Sequence, residues 1–359
     1  MGAIIIAEAG VNHNGSLDMA IELIERAHDA GADVVKFQTF KAESVISLSA
    51  PKAEYQKVST GETESQLDMV RKLELNEADH RRLLARCQEL EIEFLSTPFD
   101  VPSAQLLIHN LGVRRIKIPS GEVTNAPFLL ELGRYKLPTI LSTGMCTLGD
   151  IERALGVLAY AYTDWPAAPG PKAFDDAFLS SDGQKAIADK VTVLHCTTEY
   201  PAAFADTNLR AMNTLTAAFG LPVGFSDHTP GISIPIAAVA LGATIIEKHF
   251  TLDRTLPGPD HAASLEPDEL KRMVSSIREV EQALGDGRKV ATASEIKNRA
   301  IARRSLVALK DVNSDELWST DNLGCKRPGS GVSPFEFWDY LGKPVDKDYA
   351  ADALVGSRQ

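Results

Sequence analysis

The sequence predicts an α/β protein, a closed (β/α)₈ barrel of the TIM-barrel type followed by one small C-terminal domain. Its 359 residues leave room for a barrel of about 250 residues and one further domain. Short runs rich in β-branched residues alternate with longer amphipathic stretches, which is the pattern of parallel strands joined by crossover helices. Eight such units occur before the pattern changes near Leu284, and eight units favour a closed barrel.

Each predicted strand is almost continuously apolar, as expected for a strand that is covered on both faces. The strands are placed at Ile4–Glu8, Val34–Gln38, Glu93–Thr97, Arg115–Pro119, Thr139–Thr143, Val191–Thr197, Val223–Asp227 and Ala243–His249. Apolar residues with helical spacing predict helices between the strands. Examples are Leu17–Ala30, Ser103–Leu111, Leu148–Ala159, Ile232–Leu241 and Pro267–Leu284.

Three segments depart from this repeat. The polar stretch from Phe40 to Asp68 is longer than an ordinary strand-to-helix connection, so it predicts a functional loop at the catalytic end of the barrel. The stretch between Tyr162 and Lys190, rich in Pro, Ala and Asp, predicts a structural insertion or a mobile loop on the opposite rim. The third segment follows Leu284 and is polar. The predicted organisation is therefore a barrel at 1–285, a linker at 286–303 and a small domain at 304–359.

The composition argues against several classes of protein. A net charge of −12 repels nucleic acid and anionic membranes, and no basic cluster offsets it. No apolar run approaches the roughly 18 residues of a membrane-spanning helix. Glu8 interrupts the apolar start of the chain, which argues against a signal peptide and predicts a cytoplasmic location. Reduced thiols are expected, because no metal or disulfide spacing relates Cys87, Cys146, Cys196 and Cys325.

Polar residues gather where the predicted strands end. In a barrel of this kind, the reactive groups come from the carboxyl ends of the strands and from the loops after them. A single serine or threonine at such a position can simply cap a helix. Eight polar strand ends predict a functional pocket, because charges buried without partners cost several kcal/mol.

Two histidines, His228 and His249, end the seventh and eighth predicted strands. These strands are neighbours in a barrel, so the two imidazoles can converge on one Lewis-acid metal ion. Two nitrogen ligands with open positions suit Mn²⁺ better than a closed, four-ligand zinc site. A pair of hydrogen-bonded histidines explains the spacing equally well, and the spacing alone leaves both interpretations open.

Two lysines, Lys36 and Lys117, lie on the second and fourth predicted strands and can neutralise a phosphate or a carboxylate. The hydroxyl groups of Thr97, Ser120 and Ser142 can complete an anion site beside them. A lysine that forms a Schiff base, as in barrel aldolases, is the competing interpretation.

Nine blocks of this sequence closely resemble the N-acetylneuraminate (sialic acid) synthases. In chain order they are AEAGVNHNGS, GADVVKFQTF, FLSTPFD, KIPSGE, LSTGM, LHCTTEYPA, GFSDHT, IIEKHFT and PGPDHAASLEPDEL. The segments ARRSLVALKDV and KRPGSGVSP are similar to the C-terminal antifreeze-like (SAF) domain of that family. The resemblance covers nearly the whole chain, and nine ordered blocks are far more specific than one short motif.

This resemblance implies a reaction and an assembly. The reaction would be a metal-dependent condensation of phosphoenolpyruvate, N-acetylmannosamine and water to N-acetylneuraminate and phosphate, with cleavage of a C–O bond. The metal would be Mn²⁺, with Mg²⁺ or Co²⁺ as alternatives. The assembly would be a homodimer in which each small domain covers the active site of its partner.

The resemblance also implies roles for individual residues. Glu8 would be the acid/base near the new bond, and His228 with His249 would hold the metal. The phosphoenolpyruvate site would consist of Lys36, Thr97, Lys117, Ser120 and Ser142, with Tyr200, Ser226 and Glu247 lining the pocket. Arg327 would reach across the dimer to the acetamido group of the sugar.

One position departs from the family pattern, because Thr198 stands where some sialic acid synthases carry an asparagine near the enolate and the sugar. This departure weakens the assignment of the sugar, and 2,4-diacetamido-2,4,6-trideoxymannose, which would give legionaminic acid, is the closest alternative. The rival interpretations are a class I aldolase that uses Lys36 or Lys117, and a non-catalytic carbohydrate-binding or ice-binding protein.

Overall fold

The computed structural model of the chain describes residues 2–53, 56–57, 61 and 63–356. The chain divides into two compact units, one ending at Gly285 and one beginning at Asp286. The larger unit is an α/β barrel. Each unit has its own hydrophobic core.

Eight parallel strands form the wall of the barrel and confirm the predicted α/β barrel. In the order of hydrogen bonding they run β3, β2, β1, β8, β7, β6, β5, β4, and β3 and β4 pack side by side to bring the wall close to closure. All eight predicted strands are present, with ends within two residues of prediction. Their bounds are β1 Ile4–Gly10, β2 Val34–Thr39, β3 Glu93–Pro98, β4 Ile116–Ile118, β5 Thr139–Ser142, β6 Val191–Cys196, β7 Val223–Asp227 and β8 Ile245–His249.

Helices connect the strands as predicted. Their bounds are α1 Leu17–Asp29, α2 Ala42–Val45, α3 Gln66–Arg71, α4 Glu77–Glu89, α5 Val101–Gln105, α6 Ala126–Arg134, α7 Leu148–Tyr162, α8 Pro171–Leu179, α9 Ser181–Lys190, α10 Ala211–Phe219, α11 Ser233–Ala240 and α12 Pro267–Leu284. Within the part of the chain that is described, no helix is both long and apolar enough to cross a membrane.

One predicted helix is wrong in detail. The segment predicted as a single helix at Ser103–Leu111 begins earlier, at Val101, and changes after Gln105 into a π-helical turn. The early start has a local cause, because the Asp100 side chain accepts a hydrogen bond from the backbone N–H of Ser103 at 2.7 Å. Such an N-cap satisfies one of the otherwise unpaired N–H groups of the first turn.

The segment between Tyr162 and Lys190 is a structural insertion. Its two helices, α8 and α9, pack on α7 and bury Ala173, Ala177 and Ile187. The backbone of α8 approaches α7 so closely that a Cβ at Gly156 would lie 3.0 Å from the carbonyl oxygen of Phe174. A mobile loop would not bury side chains in this way.

A layer of apolar side chains fills the barrel interior and sets the level of the polar residues above it. The layer consists of Ile6, Val34, Leu95, Ile140, Leu194 and Ile245. Alternate residues of a strand face the same side, so the residues two positions further on also point into the barrel. Those residues are Glu8, Lys36, Thr97, Ser142, Cys196 and Glu247. We call the apolar layer beneath them the barrel floor.

The long connection after β2 holds two short helices, α2 and α3, which contact each other. Beside them, Val11, Phe40 and Leu73 form a small apolar cluster at the end of the barrel that carries the polar residues. Part of this connection, residues 54–55, 58–60 and 62, lies outside the described residues.

The smaller unit contains a two-stranded antiparallel sheet, β9 Ser305–Ala308 and β10 Leu323–Lys326. Its core includes Trp318, Tyr349 and Val355. The segment predicted as a linker, 286–303, contains a helix, α13 Ala293–Ala302, which begins with a capping box at Thr292 and Glu295. A short helix, α14 Phe337–Tyr340, follows later in the unit.

Candidate active site

A cavity of about 530 Å³ opens at the carboxyl ends of the strands, where the sequence predicts the site. Every predicted site residue of the barrel lines it. These residues are Glu8, Lys36, Thr97, Lys117, Ser120, Ser142, Tyr200, Ser226, His228, Glu247 and His249. They come from seven of the eight strands and the loops that follow them.

The centre of the cavity holds two lysines and two glutamates in alternation. The Lys36 Nζ atom lies 2.6 Å from Oε2 of Glu8 and 3.7 Å from Oε2 of Glu247. The Lys117 Nζ atom lies 3.2 Å from Oε1 of Glu247. All four side chains are at most 5% exposed. Because each charge has an opposite neighbour, the group can stay ionised although it is buried.

Hydroxyl groups extend this network toward both sides of the barrel. Lys36 donates a hydrogen bond to Thr97 at 3.1 Å, and Lys117 donates one to Ser142 at 2.8 Å. Ser226 donates to Glu247 at 2.9 Å. The two ammonium groups are therefore held in fixed positions, from which they can donate hydrogen bonds to a phosphate or a carboxylate.

The two glutamates have opposite proton affinities. Burial raises the pKa of Glu8 to about 7, although the Lys36 ammonium acts to lower it. Burial also acts to raise the pKa of Glu247, but Lys117 and Lys36 outweigh this effect and lower that pKa to about 2. At neutral pH Glu247 is a fixed negative charge, whereas Glu8 can both give and take a proton. Such a difference is typical of an acid/base residue next to a structural partner.

The two histidines meet at one side of the cavity, under the ring of Tyr200. The ring centroids of His228 and His249 are 5.6 Å apart, and the Tyr200 ring lies 4.1 Å from that of His228. Burial lowers the pKa of His228 to about 4 and holds the pKa of His249 well below its ordinary value. Both rings are thus neutral at physiological pH, which is the form that binds metal ions.

The hydrogen bonds of these rings fit a metal site. The Nδ1 atom of His228 lies 2.5 Å from the carbonyl oxygen of Thr197, so Nδ1 carries the proton and Nε2 keeps its lone pair. The Nδ1 atom of His249 is buried without a hydrogen-bond partner among the described residues. In the same part of the chain, no three His, Cys, Asp or Glu residues are grouped as a complete metal site. The protein would thus supply two nitrogen ligands, and Mn²⁺ stays a prediction.

Behind the histidines lies an ion pair that the sequence analysis missed. Lys248 and Asp227 point away from the cavity, and the Nζ atom of Lys248 lies 2.6 Å from Oδ2 of Asp227. Lys248 also donates to the backbone carbonyl of Thr229. Both side chains of the ion pair are completely buried. Since His228 follows Asp227 and His249 follows Lys248 in sequence, this pair ties together the two strand ends that carry the histidines.

Two polar residues close to Glu8 and His249 were not assigned a role from the sequence. Gln38 donates to Oε1 of Glu8 at 3.3 Å, and the buried Asp260 has its Oδ2 atom 3.9 Å from Nδ1 of His249. Burial raises the pKa of Asp260 to about 6. The available signals were the position of Gln38 two residues after Lys36 and the place of Asp260 in the block PGPDHAAS.

Glycine at position 144 brings the β5 loop against the β6 loop. The N–H of Gly144 donates to Oγ of Ser120 at 2.9 Å, and this Oγ lies 3.2 Å from Sγ of Cys196. A Cβ at position 144 would overlap the hydroxyl of Thr198. The position of Thr198 in the cavity wall therefore depends on this glycine.

One side of the cavity is apolar, which the sequence analysis did not predict. Phe40 and Phe99 meet edge to face with centroids 6.1 Å apart. We call this side the apolar wall, and its residues are Val11, Phe40, Val45, Ile46, Met69, Val70, Leu73 and Phe99. They come from the ends of β1, β2 and β3, from the connection after β2, and from α3 and the turn that follows it.

The remaining predicted residue, Arg327, belongs to the smaller unit. Its Nε atom donates to the carbonyl oxygen of Ala302 at 3.0 Å, at the end of α13. Its role toward an active site stays a prediction.

Comparison with known proteins identifies the family. Residues 23–289 match the family described as NeuB. The chain belongs to the NeuB family. It is 51% identical to the N,N′-diacetyllegionaminic acid synthase of Campylobacter jejuni over 352 residues, which cover 98% of each protein. It is 44% identical to the N,N′-diacetyllegionaminic acid synthase of Legionella pneumophila over 99% of this chain and 94% of that protein.

A solved structure of the family has the same fold. It is an N-acetylneuraminic acid synthetase from Leptospira borgpetersenii in complex with citrate, with 34% identity and a TM-score of 0.65. The match covers 83% of this chain and 90% of that one. As a NeuB family member, the chain is an enzyme that forms a C–C bond between phosphoenolpyruvate and a sugar. This confirms the predicted family and reaction type, and it sets aside the aldolase and the non-catalytic interpretations.

Proposed function

We propose that this enzyme is an N,N′-diacetyllegionaminic acid synthase. It condenses phosphoenolpyruvate with 2,4-diacetamido-2,4,6-trideoxymannose and water, and it releases phosphate. The observation that carries the proposal is the 51% and 44% identity to two synthases of this name, over almost the full length of each. Identity to the N-acetylneuraminic acid synthetase from Leptospira borgpetersenii is 34%.

This proposal replaces the acceptor that the sequence analysis favoured. N-acetylmannosamine was inferred from motifs such as KIPSGE and IIEKHFT, which lie at the strand ends around the buried lysines and glutamates. Those residues surround the phosphoenolpyruvate side of the cavity, and that substrate is common to the family. They carry little information about which sugar binds.

Phosphoenolpyruvate is proposed to bind beside the two buried lysines. The ammonium groups of Lys36 and Lys117 face its phosphate and carboxylate, and Ser120 and Ser142 add hydroxyl donors. These charges then lie next to the bond that breaks. The same lysines stabilise the phosphate as it leaves.

His228 and His249 are proposed to hold a divalent metal ion, Mn²⁺ above all. This ion supplies Lewis-acid polarisation of the acceptor aldehyde. Two observations support this assignment: both imidazoles are neutral, and the buried Nδ1 atom of His249 has no hydrogen-bond partner among the described residues. Asp260 and Gln38 border the same space and can orient the acceptor by hydrogen bonds.

Glu8 is proposed to move the protons. Carbon C3 of phosphoenolpyruvate attacks the aldehyde carbon, so that the aldehyde oxygen becomes an alkoxide and a positive charge is left at C2. The ionised form of Glu8 stabilises this charge, takes a proton from the water that adds to C2, and returns this proton to the alkoxide. Breakage of the bond between C2 and the bridging oxygen, with transfer of the C2 hydroxyl proton to the leaving phosphate, gives the keto acid and free phosphate. A pKa of about 7 suits a group that must both accept and return a proton.

The smaller unit is proposed to be an antifreeze-like (SAF) domain that covers the active site of the partner in a homodimer, where Arg327 would contact an acetamido group. The segments ARRSLVALKDV and KRPGSGVSP support this assignment. The proposed location of the enzyme is the cytoplasm.

The test of the proposed function is a comparison of two acceptors with purified enzyme, phosphoenolpyruvate and Mn²⁺. We expect a higher kcat/KM for 2,4-diacetamido-2,4,6-trideoxymannose than for N-acetylmannosamine. A higher value for N-acetylmannosamine would overturn the proposal and restore the first interpretation.

A further inference from the structure

The cavity lining has two chemically different parts. The buried lysines, glutamates and histidines form one part, and the apolar wall forms another. Reactants that contact both parts must therefore carry anionic groups as well as apolar groups. We propose that the apolar wall is a specificity site that selects acceptor sugars with a methyl group at C6, in place of a hydroxymethyl group. This inference rests on the proposed function.

The two reactants are complementary to different parts of the cavity lining. Phosphoenolpyruvate carries only a carboxylate, a phosphate and a small vinyl group, so the charged side satisfies nearly all of its surface. The acceptor of the proposed function has three methyl groups, one at C6 and one on each acetyl group. N-acetylmannosamine has one. The wall is thus complementary to the acceptor, and to its 6-deoxy form in particular.

The wall is a built surface with a rigid back. Val11, Phe40 and Leu73 are buried and pack together, and Phe99 meets Phe40 edge to face. In front of this cluster, Val45 is 38% exposed and Ile46 is half-buried. These two side chains line the cavity and have surface left to cover, so they are the contacts proposed for the C6 methyl group.

Aliphatic side chains at this position penalise a hydroxyl group by removing its water without replacing its hydrogen bonds. In apolar specificity pockets, such small differences typically change kcat/KM by about 10-fold to 200-fold. We therefore expect the wild-type enzyme to prefer a 6-deoxy sugar over the matched 6-hydroxy sugar by at least about tenfold.

The experiment uses the double variant Val45→Thr/Ile46→Thr, which keeps both side chains β-branched and adds hydroxyl groups to the wall. Threonine matches valine in size, and the side chain at position 46 becomes one carbon shorter. Val101→Thr is the matched control, because Val101 is 36% exposed and lies on α5, outside the cavity lining. Both proteins are first checked by thermal melting. Since the exchanged side chains lie near the surface, the melting temperatures should stay within about 2 °C of wild type.

The assay measures kcat/KM for two pairs of sugars that differ only at C6. One pair is 2,4-diacetamido-2,4,6-trideoxymannose and its 6-hydroxy form, and the other is 2-acetamido-2,6-dideoxymannose and N-acetylmannosamine. The 6-deoxy preference is the ratio of kcat/KM for the 6-deoxy sugar to kcat/KM for its 6-hydroxy form. In the pair of sugars with the higher kcat/KM, we expect the double variant to lower this ratio about fivefold or more, which is within the range expected for one buried methyl contact. The KM for phosphoenolpyruvate and the behaviour of the control should not change.

The outcomes separate this inference from the proposed function. A wild-type enzyme that works best with the mono-acetamido pair contradicts the proposed function, while the 6-deoxy preference within that pair still tests the wall. A folded double variant with an unchanged 6-deoxy preference overturns the inference. An equal loss for all four sugars, or a parallel rise in the KM for phosphoenolpyruvate, overturns it as well, because either result would mean a general distortion of the site.

Discussion

Removing the ammonium group of Lys248 tests how the ends of β7 and β8 are held. Lys248→Met keeps most of the length of the side chain but leaves the Asp227 carboxylate completely buried without its counter-charge. Breaking a buried ion pair from one side typically costs about 3–5 kcal/mol. We expect the free energy of unfolding of the barrel to fall by about this amount.

The double variant Lys248→Met/Asp227→Asn separates the charge effect from packing. An asparagine can still accept, through Oδ1, the hydrogen bonds that Asp227 receives from the N–H and the hydroxyl of Thr229, at 3.0 and 2.9 Å. The buried charge is gone in this variant. We therefore expect it to recover roughly half or more of the stability that the single variant loses.

The assay is urea unfolding followed by circular dichroism at a helical wavelength, because most helices belong to the barrel. Lys185→Met is the matched control, since its partner Asp189 and Lys185 itself are highly exposed, at 57% and 74%. An exposed ion pair contributes little to stability, so the urea midpoint of Lys185→Met should equal that of the wild type. The reasoning is refuted if Lys248→Met unfolds at the same urea concentration as this control.

Four further predictions concern the site and the assembly. Burial lowers the pKa of His13 to about 4 in the folded state, below its unfolded value of about 6.5. The free energy of unfolding should therefore fall by up to about 3 kcal/mol as the pH falls from about 6.5 to 4. Over this pH range the urea midpoint should fall less steeply for His13→Asn than for the wild type. Gly144→Ala should lower kcat/KM by about tenfold or more without a change in melting temperature, because the new Cβ overlaps the Thr198 hydroxyl. Adding Thr198→Ala removes this overlap and should restore part of the lost kcat/KM. His249→Ala should lose Mn²⁺ affinity in a direct binding titration while keeping its fold, and unaltered binding would count against the metal site. Mixing inactive Arg327→Ala and His249→Ala enzymes under conditions of subunit exchange should restore part of the activity if each small domain acts on its partner; confirmed mixed dimers without activity would disprove that arrangement.

The fold was accessible from the sequence because its signals are local. Each strand is a short apolar run, and the residues on both of its faces are buried, so all eight strands could be placed. One error concerns a helix start. The segment Asp100-Val-Pro carries an N-cap and a proline at the second helical position, and this combination indicates a helix start at Val101 more strongly than the apolar spacing that pointed to Ser103.

The site was only partly accessible, because its pairings are not local. The alternation of side chains along a strand places Lys117 and Glu247 inside the barrel, but their contact joins residues 130 positions apart. Lys248 was included in a predicted strand without a partner, since its carboxylate partner lies on the neighbouring strand. The apolar wall was missed for a different reason, because Val45 and Ile46 are set among polar residues without helical or strand periodicity.

The barrel floor has a consequence for the order of events in a catalytic cycle. Its six apolar side chains pack beneath Lys36 and Glu247, and Val34 in this layer faces the cavity at the other end of the barrel. Both reactants must then enter through one mouth, and the one held by the deepest groups must arrive first. We expect steady-state kinetics to show compulsory binding of phosphoenolpyruvate before the sugar, so that a dead-end sugar analogue inhibits uncompetitively with respect to phosphoenolpyruvate.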